Sequence, residues 1–107
     1  MTNQKFVYIC KRIVCDYAND HLDKSDHRMV TTNNVYVVWL SKVLQNNKAL
    51  LSTSLPDGMY YEISYNGDKN ELYFDAYKKF ENRCINPETF AVIKENSGAF
   101  DAKEREE

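Results

Sequence analysis

Glycine occurs only three times in this chain of 107 residues, and proline only twice. The glycines stand alone at Gly58, Gly67 and Gly98, which excludes a glycine-rich phosphate cradle, because such a loop needs several of them close together. Cysteine is equally scarce and odd in number (Cys10, Cys15, Cys84). With no apolar leader ahead of them, three cysteines argue against a disulfide framework and for reduced thiols in a cytoplasmic protein. No stretch approaches the roughly 20 apolar residues that a membrane span requires, so no membrane is expected as a partner. A surplus of positive charge is missing as well: 14 Lys and Arg face 16 Asp and Glu, for a net charge of -2. Domains that grip phosphate backbones usually carry excess base, so nucleic acid is not the expected partner.

What the chain has is apolar and aromatic material, 43% and 13% of its residues. That is enough to build the core of one domain, and a chain of this size buries roughly two-thirds of its unfolded surface. Phe6, Ile9, Cys10, Ile13, Val14 and Tyr17 recur at helical spacing, predicting a helix from about Asn3 to His21 with Cys10 in the core. Thr2 or Asn3 can cap it. A polar loop follows, from Asp23 to Asn34.

Four strand-like segments come next, separated by three polar turns. Val35–Leu44 is rich in β-branched and aromatic residues, and Gln45–Lys48 has the composition of a turn. Ala49–Leu55 ends at Pro56-Asp57-Gly58, and Met59–Asn66 ends at Asn66-Gly67 in a loop reaching Asn70. A fourth strand runs from Glu71 to about Ile85, with a bulge or bend near Lys78-Lys79. Asn86-Pro87-Glu88 reads as an N-cap with proline at N1, opening a short helix to about Glu95. The fold class is α+β. An N-terminal helix packs on a four-stranded antiparallel meander over residues 1–85, and residues 86–107 form an extension of short helix and charged tail.

Alternation assigns the faces. Val35, Val37, Trp39, Met59, Tyr61, Ile63, Tyr65, Leu72, Phe74 and Ala76 form the face under the helix, with Ala49 and Leu51 as the inward pair of the second strand. Tyr36, Val38, Leu40, Leu50, Tyr60, Tyr73 and Tyr77 fall on the other face, interleaved with Glu62 and Asp75. One helix cannot cover both faces. The second is either an interface, with a symmetric homodimer as the default form, or is explained by the C-terminal segment and cross-strand aromatic pairing. The candidate interface residues are Tyr36, Val38, Leu40, Tyr60, Tyr73 and Tyr77.

Other constellations are weaker. Asp57, Glu62, Asp68, Glu71 and Asp75 surround the single base Lys69, as on a solvated face or on an acidic surface for a basic partner. Asp16, Asp20, His21, Asp23, Asp26 and His27 cluster locally, but their spacing matches no metal motif, and a solvated helix end accounts for them. Cys15 or Cys84 with His21 makes no recognisable catalytic pair. Lys78, Lys79 and Arg83 beside Tyr77 and Phe80 form a short basic, aromatic stripe interrupted by Glu81. No cofactor, metal or catalytic site is expected.

The blocks Val35-Tyr-Val-Val-Trp-Leu-Ser-Lys-Val-Leu-Gln-Asn-Asn-Lys-Ala-Leu-Leu-Ser-Thr53, Asp57-Gly-Met-Tyr-Tyr-Glu62, Tyr65-Asn-Gly-Asp-Lys-Asn-Glu-Leu-Tyr73 and Asp75-Ala-Tyr-Lys-Lys-Phe-Glu-Asn82 resemble a family of small uncharacterised proteins. These are encoded by phages and prophages of low-GC Gram-positive bacteria. The similarity runs from the N-terminal helix to about Ile85, and residues 86–107 look like an extension beyond it. The family brings no activity and no functional residues with it. It implies a setting, since small early phage proteins commonly act by binding host enzymes, defence complexes or replication factors. The expectation is a non-enzymatic protein acting by contact with a host protein, as inhibitor or modulator, in the host cytoplasm. The alternative is a small nucleic-acid-binding module using Lys78, Lys79 and Arg83.

Overall fold

The computed structural model describes residues 1–22 and 29–96. The first helix, α1 (Asn3–Asp20), begins where Thr2 Oγ1 accepts a hydrogen bond from the Lys5 amide at 3.1 Å. That bond satisfies one of the amides a helix start leaves without an intrahelical partner. The apolar spacing becomes a buried stripe of Phe6, Cys10, Val14 and Ala18, joined by Cys15, with Ile9, Ile13 and Tyr17 half-buried beside it. Past α1, the Asn19 side chain pairs with both backbone groups of Val30: Nδ2 donates to its carbonyl at 2.9 Å, and Oδ1 accepts from its amide at 2.7 Å. The Cys15 thiol donates to the same carbonyl at 2.9 Å. These bonds tie Val30 to the last turns of the helix. The expected loop reaches a short 3-10 turn at Thr32–Asn34; its Asp23, Asp26 and His27 lie outside the described residues.

The meander is β1 (Val35–Val43), β2 (Asn46–Thr53), β3 (Met59–Asn66) and β4 (Glu71–Lys78), in the spatial order β1-β2-β3-β4. Helix α1 packs against β1 and β2. The core is sealed by Val35, Ala49, Leu51, Tyr61 and Ile63 with Phe6, Cys10 and Val14, all at most 2% exposed. Each such side chain of valine size or larger contributes roughly 1.5–3 kcal/mol by leaving water. Tyr17, Tyr61 and Phe74 form a ring cluster with centroids 5.2–5.8 Å apart. That places Phe74 on the helix-bearing face and its neighbours Tyr73 and Asp75 on the opposite one.

Two turns differ from the sequence reading or sharpen it. The β1–β2 turn is tighter than Gln45–Lys48: Val43 pairs with Asn46, leaving only Leu44 and Gln45 between the strands, with Leu44 at φ 56°. The β3–β4 loop does extend through Asn70, which sits at φ 52°. Gly67 serves close approach there, because a Cβ would lie 2.1 Å from the Gln45 carbonyl oxygen. Its amide donates to Asn46 Oδ1 at 3.0 Å, joining the two turns.

A β-bulge corrects the face assignment. Val37 pairs with Leu51, but Trp39 pairs with Leu50 and Leu40 with Ala49, so Val38 is an extra residue in β1. Directly opposed residues share a face. Beyond the bulge the alternation is therefore inverted: Trp39 joins Leu50 on the face opposite α1, and Leu40 joins Ala49 on the helix side. The sequence pattern assigns these two residues the other way round.

The end of the described chain also departs from expectation. The fourth strand breaks at Lys78, and the residues beyond pair elsewhere, as β5 (Asn82–Ile85) with β6 (Val92–Asn96). Among the described residues no short C-terminal helix forms after Asn86. Asn86 does begin a helical turn, since its Oδ1 accepts from the Glu88 and Thr89 amides and its carbonyl accepts from Phe90 at 2.8 Å. Phe90 then turns to φ 64°, and the Asn86 amide donates to the Ala91 carbonyl at 2.9 Å to close a hairpin. One turn does not recover the cost of helix nucleation, and Val92-Ile93 favours a strand. The chain thus divides into two compact units. One is Met1–Ser54 with Met59–Tyr77; the other is Leu55–Gly58 with the described residues from Lys78 onward. In the second unit the Lys79 amide donates to the Gly58 carbonyl at 2.8 Å, with Gly58 at φ 69°.

Candidate interaction surface

The face of the meander opposite α1 follows from strand pairing. Tyr36 and Tyr60 both pair with Ser52, Trp39 with Leu50, and Leu50 with Glu62. On β4, Tyr73, Asp75 and Tyr77 alternate with the inward Phe74. Tyr36, Trp39, Tyr73 and Tyr77 are 41–53% exposed, while Tyr60 and Leu50 are half-buried among them. Such residues offer broad, rigid contact area with polar tips, the composition found at the centres of protein interfaces.

At one end this face is concave. A groove of about 540 Å³ is lined by Trp39, Ser41 and Val43 from β1, Lys48 from β2, Ser64 from β3 and Tyr73 from β4, among others. Its lining is mainly apolar, with Trp39, Val43 and Tyr73 among the residues that form it. Lys48 Nζ stands 3.2 Å from Glu62 Oε1. The Tyr73 hydroxyl donates to the Glu71 carboxylate. That hydrogen bond, together with the nearby negative charge, raises the tyrosine pKa. Glu62, Glu71 and Asp75 against Lys48 leave the face acidic, which breaks the acidic stretch into parts: Asp68 is taken by the Gln45 amide in the turn.

Of the candidate residues, Tyr36, Tyr60, Tyr73 and Tyr77 occupy this face. Val38 is the exposed bulge residue, and Leu40 belongs to the other side. Trp39 and Val43 are absent from the set that the sequence suggests. Strict alternation misplaces Trp39, and only the strand pairing reveals it.

The remaining clusters are placed as follows. His21 Nδ1 lies 2.8 Å from the Tyr17 carbonyl, and its ring stacks on Tyr17 at 4.0 Å. Among the described residues no three His, Cys, Asp or Glu side chains come together to hold a metal. Cys10 is sealed in the core, where burial pushes its thiol up to about 12. Cys15 is also buried, and Cys84 is exposed on β5. In the basic stripe, Arg83 Nε stands 2.9 Å from Glu81 Oε2, while Phe80 is exposed. Among the described residues, no helix is long and apolar enough to cross a membrane.

The model of a family of unknown function (DUF6275) matches residues 7–87, so it covers α1 from Val7 onward, the meander and β5, and the chain belongs to that family. No curated protein gives a significant match, and no solved structure does.

Proposed function

We propose that this DUF6275 member is a non-enzymatic, phage-encoded binding protein that acts by protein–protein contact through the aromatic face opposite α1. In this reading it inhibits or modulates a host factor of the defence, replication or transcription machinery in the host cytoplasm. The observation that carries the reading is the inversion at Val38. It adds Trp39 to a face already bearing Tyr36, Tyr60, Tyr73 and Tyr77, and leaves all but Tyr60 of these exposed. Burying a large aromatic side chain at a contact supplies much of the energy of a typical interface hot spot. What supports the phage setting is the resemblance carried by the residue blocks between Val35 and Asn82.

The test is affinity capture from a lysate of a low-GC Gram-positive host, comparing the parent chain with a Trp39→Ala, Tyr73→Ala variant. A specific protein is expected that the parent retains and the variant loses. Equal retention by both removes this face as the binding surface. Binding of DNA or RNA that falls steeply with salt would instead favour a nucleic-acid module.

A further inference from the structure

Among the described residues β1 and β4 are the edge strands of the meander, each with a single neighbour. Edge strands are open templates for another chain, and proteins blunt them with charge, proline or a bulge. β4 carries Glu71, Asp75 and Lys78 along its length. β1 carries no charge from Val35 to Ser41, and its one cation, Lys42, donates from Nζ to the Met1 carbonyl at 2.9 Å. The bulge at Val38 interrupts the edge but leaves a regular run, Trp39–Val43, ended by Leu44 in the left-handed region. All five residues of that run are exposed.

We infer that this run pairs with the same run of a second copy, antiparallel about a two-fold axis, to make one continuous eight-stranded sheet. An isologous contact of this kind must map the segment onto itself. Full use of Trp39–Val43 therefore places Ser41 opposite Ser41 of the second copy. Trp39 then faces Val43, an aromatic and β-branched pair that favours antiparallel strands. Leu40 faces Lys42, whose aliphatic stem can lie along it. No like charges meet. A register centred on Leu40 would run into the bulge, and one centred on Lys42 would set two ammonium groups face to face. The groove lining of Trp39, Ser41 and Val43 would meet its counterpart at the axis. The pairing depends on the strand edge and not on the binding role of the aromatic face.

Sedimentation equilibrium of the full chain tests it. The parent is expected at twice the chain mass of 12.6 kDa. Ser41→Lys and Ser41→Glu, at an exposed edge position, each place like charges across the axis and are expected at the single-chain mass. An equimolar mixture of the two is expected to return to the doubled mass, which also shows that both variants fold. A monomeric parent overturns the inference. So do doubled masses in both single variants, and so does a mixture that stays monomeric.

Discussion

Trp39 stands opposite Leu50 across the β1–β2 ladder, one residue away from the partner that uninterrupted alternation would give it. The single extra residue at Val38 turns the tryptophan from the helix side to the open face. It also separates the residues that hold the fold from those available for contact: Leu51 is fully buried, whereas Trp39 is 41% exposed.

That separation predicts different costs. Tyr60→Ala with Tyr73→Ala should leave the chain folded, at a loss of about 1–2 kcal/mol, because much of this area is already in water. Leu51→Ala should cost ~2–5 kcal/mol through lost burial and the cavity left behind. Urea denaturation followed by circular dichroism measures both. Comparable losses would contradict the division of the sheet into a core face and a contact face.

The paired turns give a second contrast. Gly67→Ala forces a methyl group onto the Gln45 carbonyl and should destabilise by about 1–3 kcal/mol. Leu44→Asn should stabilise by roughly 0.5–1 kcal/mol, because asparagine tolerates the left-handed conformation that leucine adopts there. Melting temperatures of the two variants should move in opposite directions.

The three cysteines should separate by reactivity. Cys84 is exposed, while Cys10 and Cys15 are buried, so a thiol reagent should label one cysteine in the native chain and three after unfolding. Cys10 titrates higher in the folded state than its ordinary value of 9.0, near 12. Above pH 9 the unfolded chain releases that proton and the folded chain keeps it. The stability contribution is thus complete below pH 9 and is lost as pH rises toward 12. Cys10→Ala should be less steeply destabilised over that interval in pH-dependent denaturation.

Much of this architecture is legible in the residues. The α1 stripe repeats with a helical period on one side only, so Phe6, Cys10 and Val14 identify the core without ambiguity. Three polar turns separate four β-rich runs, and the meander follows. The bulge leaves no such mark. Val35–Leu40 is apolar on both faces, so exchanging Trp39 with Leu40 replaces one large apolar side chain with another. The hairpin of β5 and β6 is hidden for a different reason. Asn86-Pro87-Glu88 carries a genuine capping signal, and its bonds form. Whether the chain continues as helix or turns back is decided by β5, several residues earlier. The anchoring of Val30 by Asn19 is likewise a contact across eleven residues, which no local pattern announces.

That anchor makes a prediction of its own. Asn19→Ala removes both side-chain bonds to the Val30 backbone, leaving its amide without this partner in a part-buried position. The cost should be about 1–3 kcal/mol, and hydrogen exchange at the Val30 amide should accelerate well beyond that of Leu51.

The most direct test of the binding face is quantitative capture from host lysate by three versions of the chain: the parent, Trp39→Ala with Tyr73→Ala, and Leu40→Ala. Leu40 adjoins Trp39 in sequence but belongs to the helix side. The parent and the Leu40 variant are expected to retain the same host protein, and the double variant to lose it while remaining folded. Retention by the double variant, or loss with Leu40→Ala alone, would contradict it.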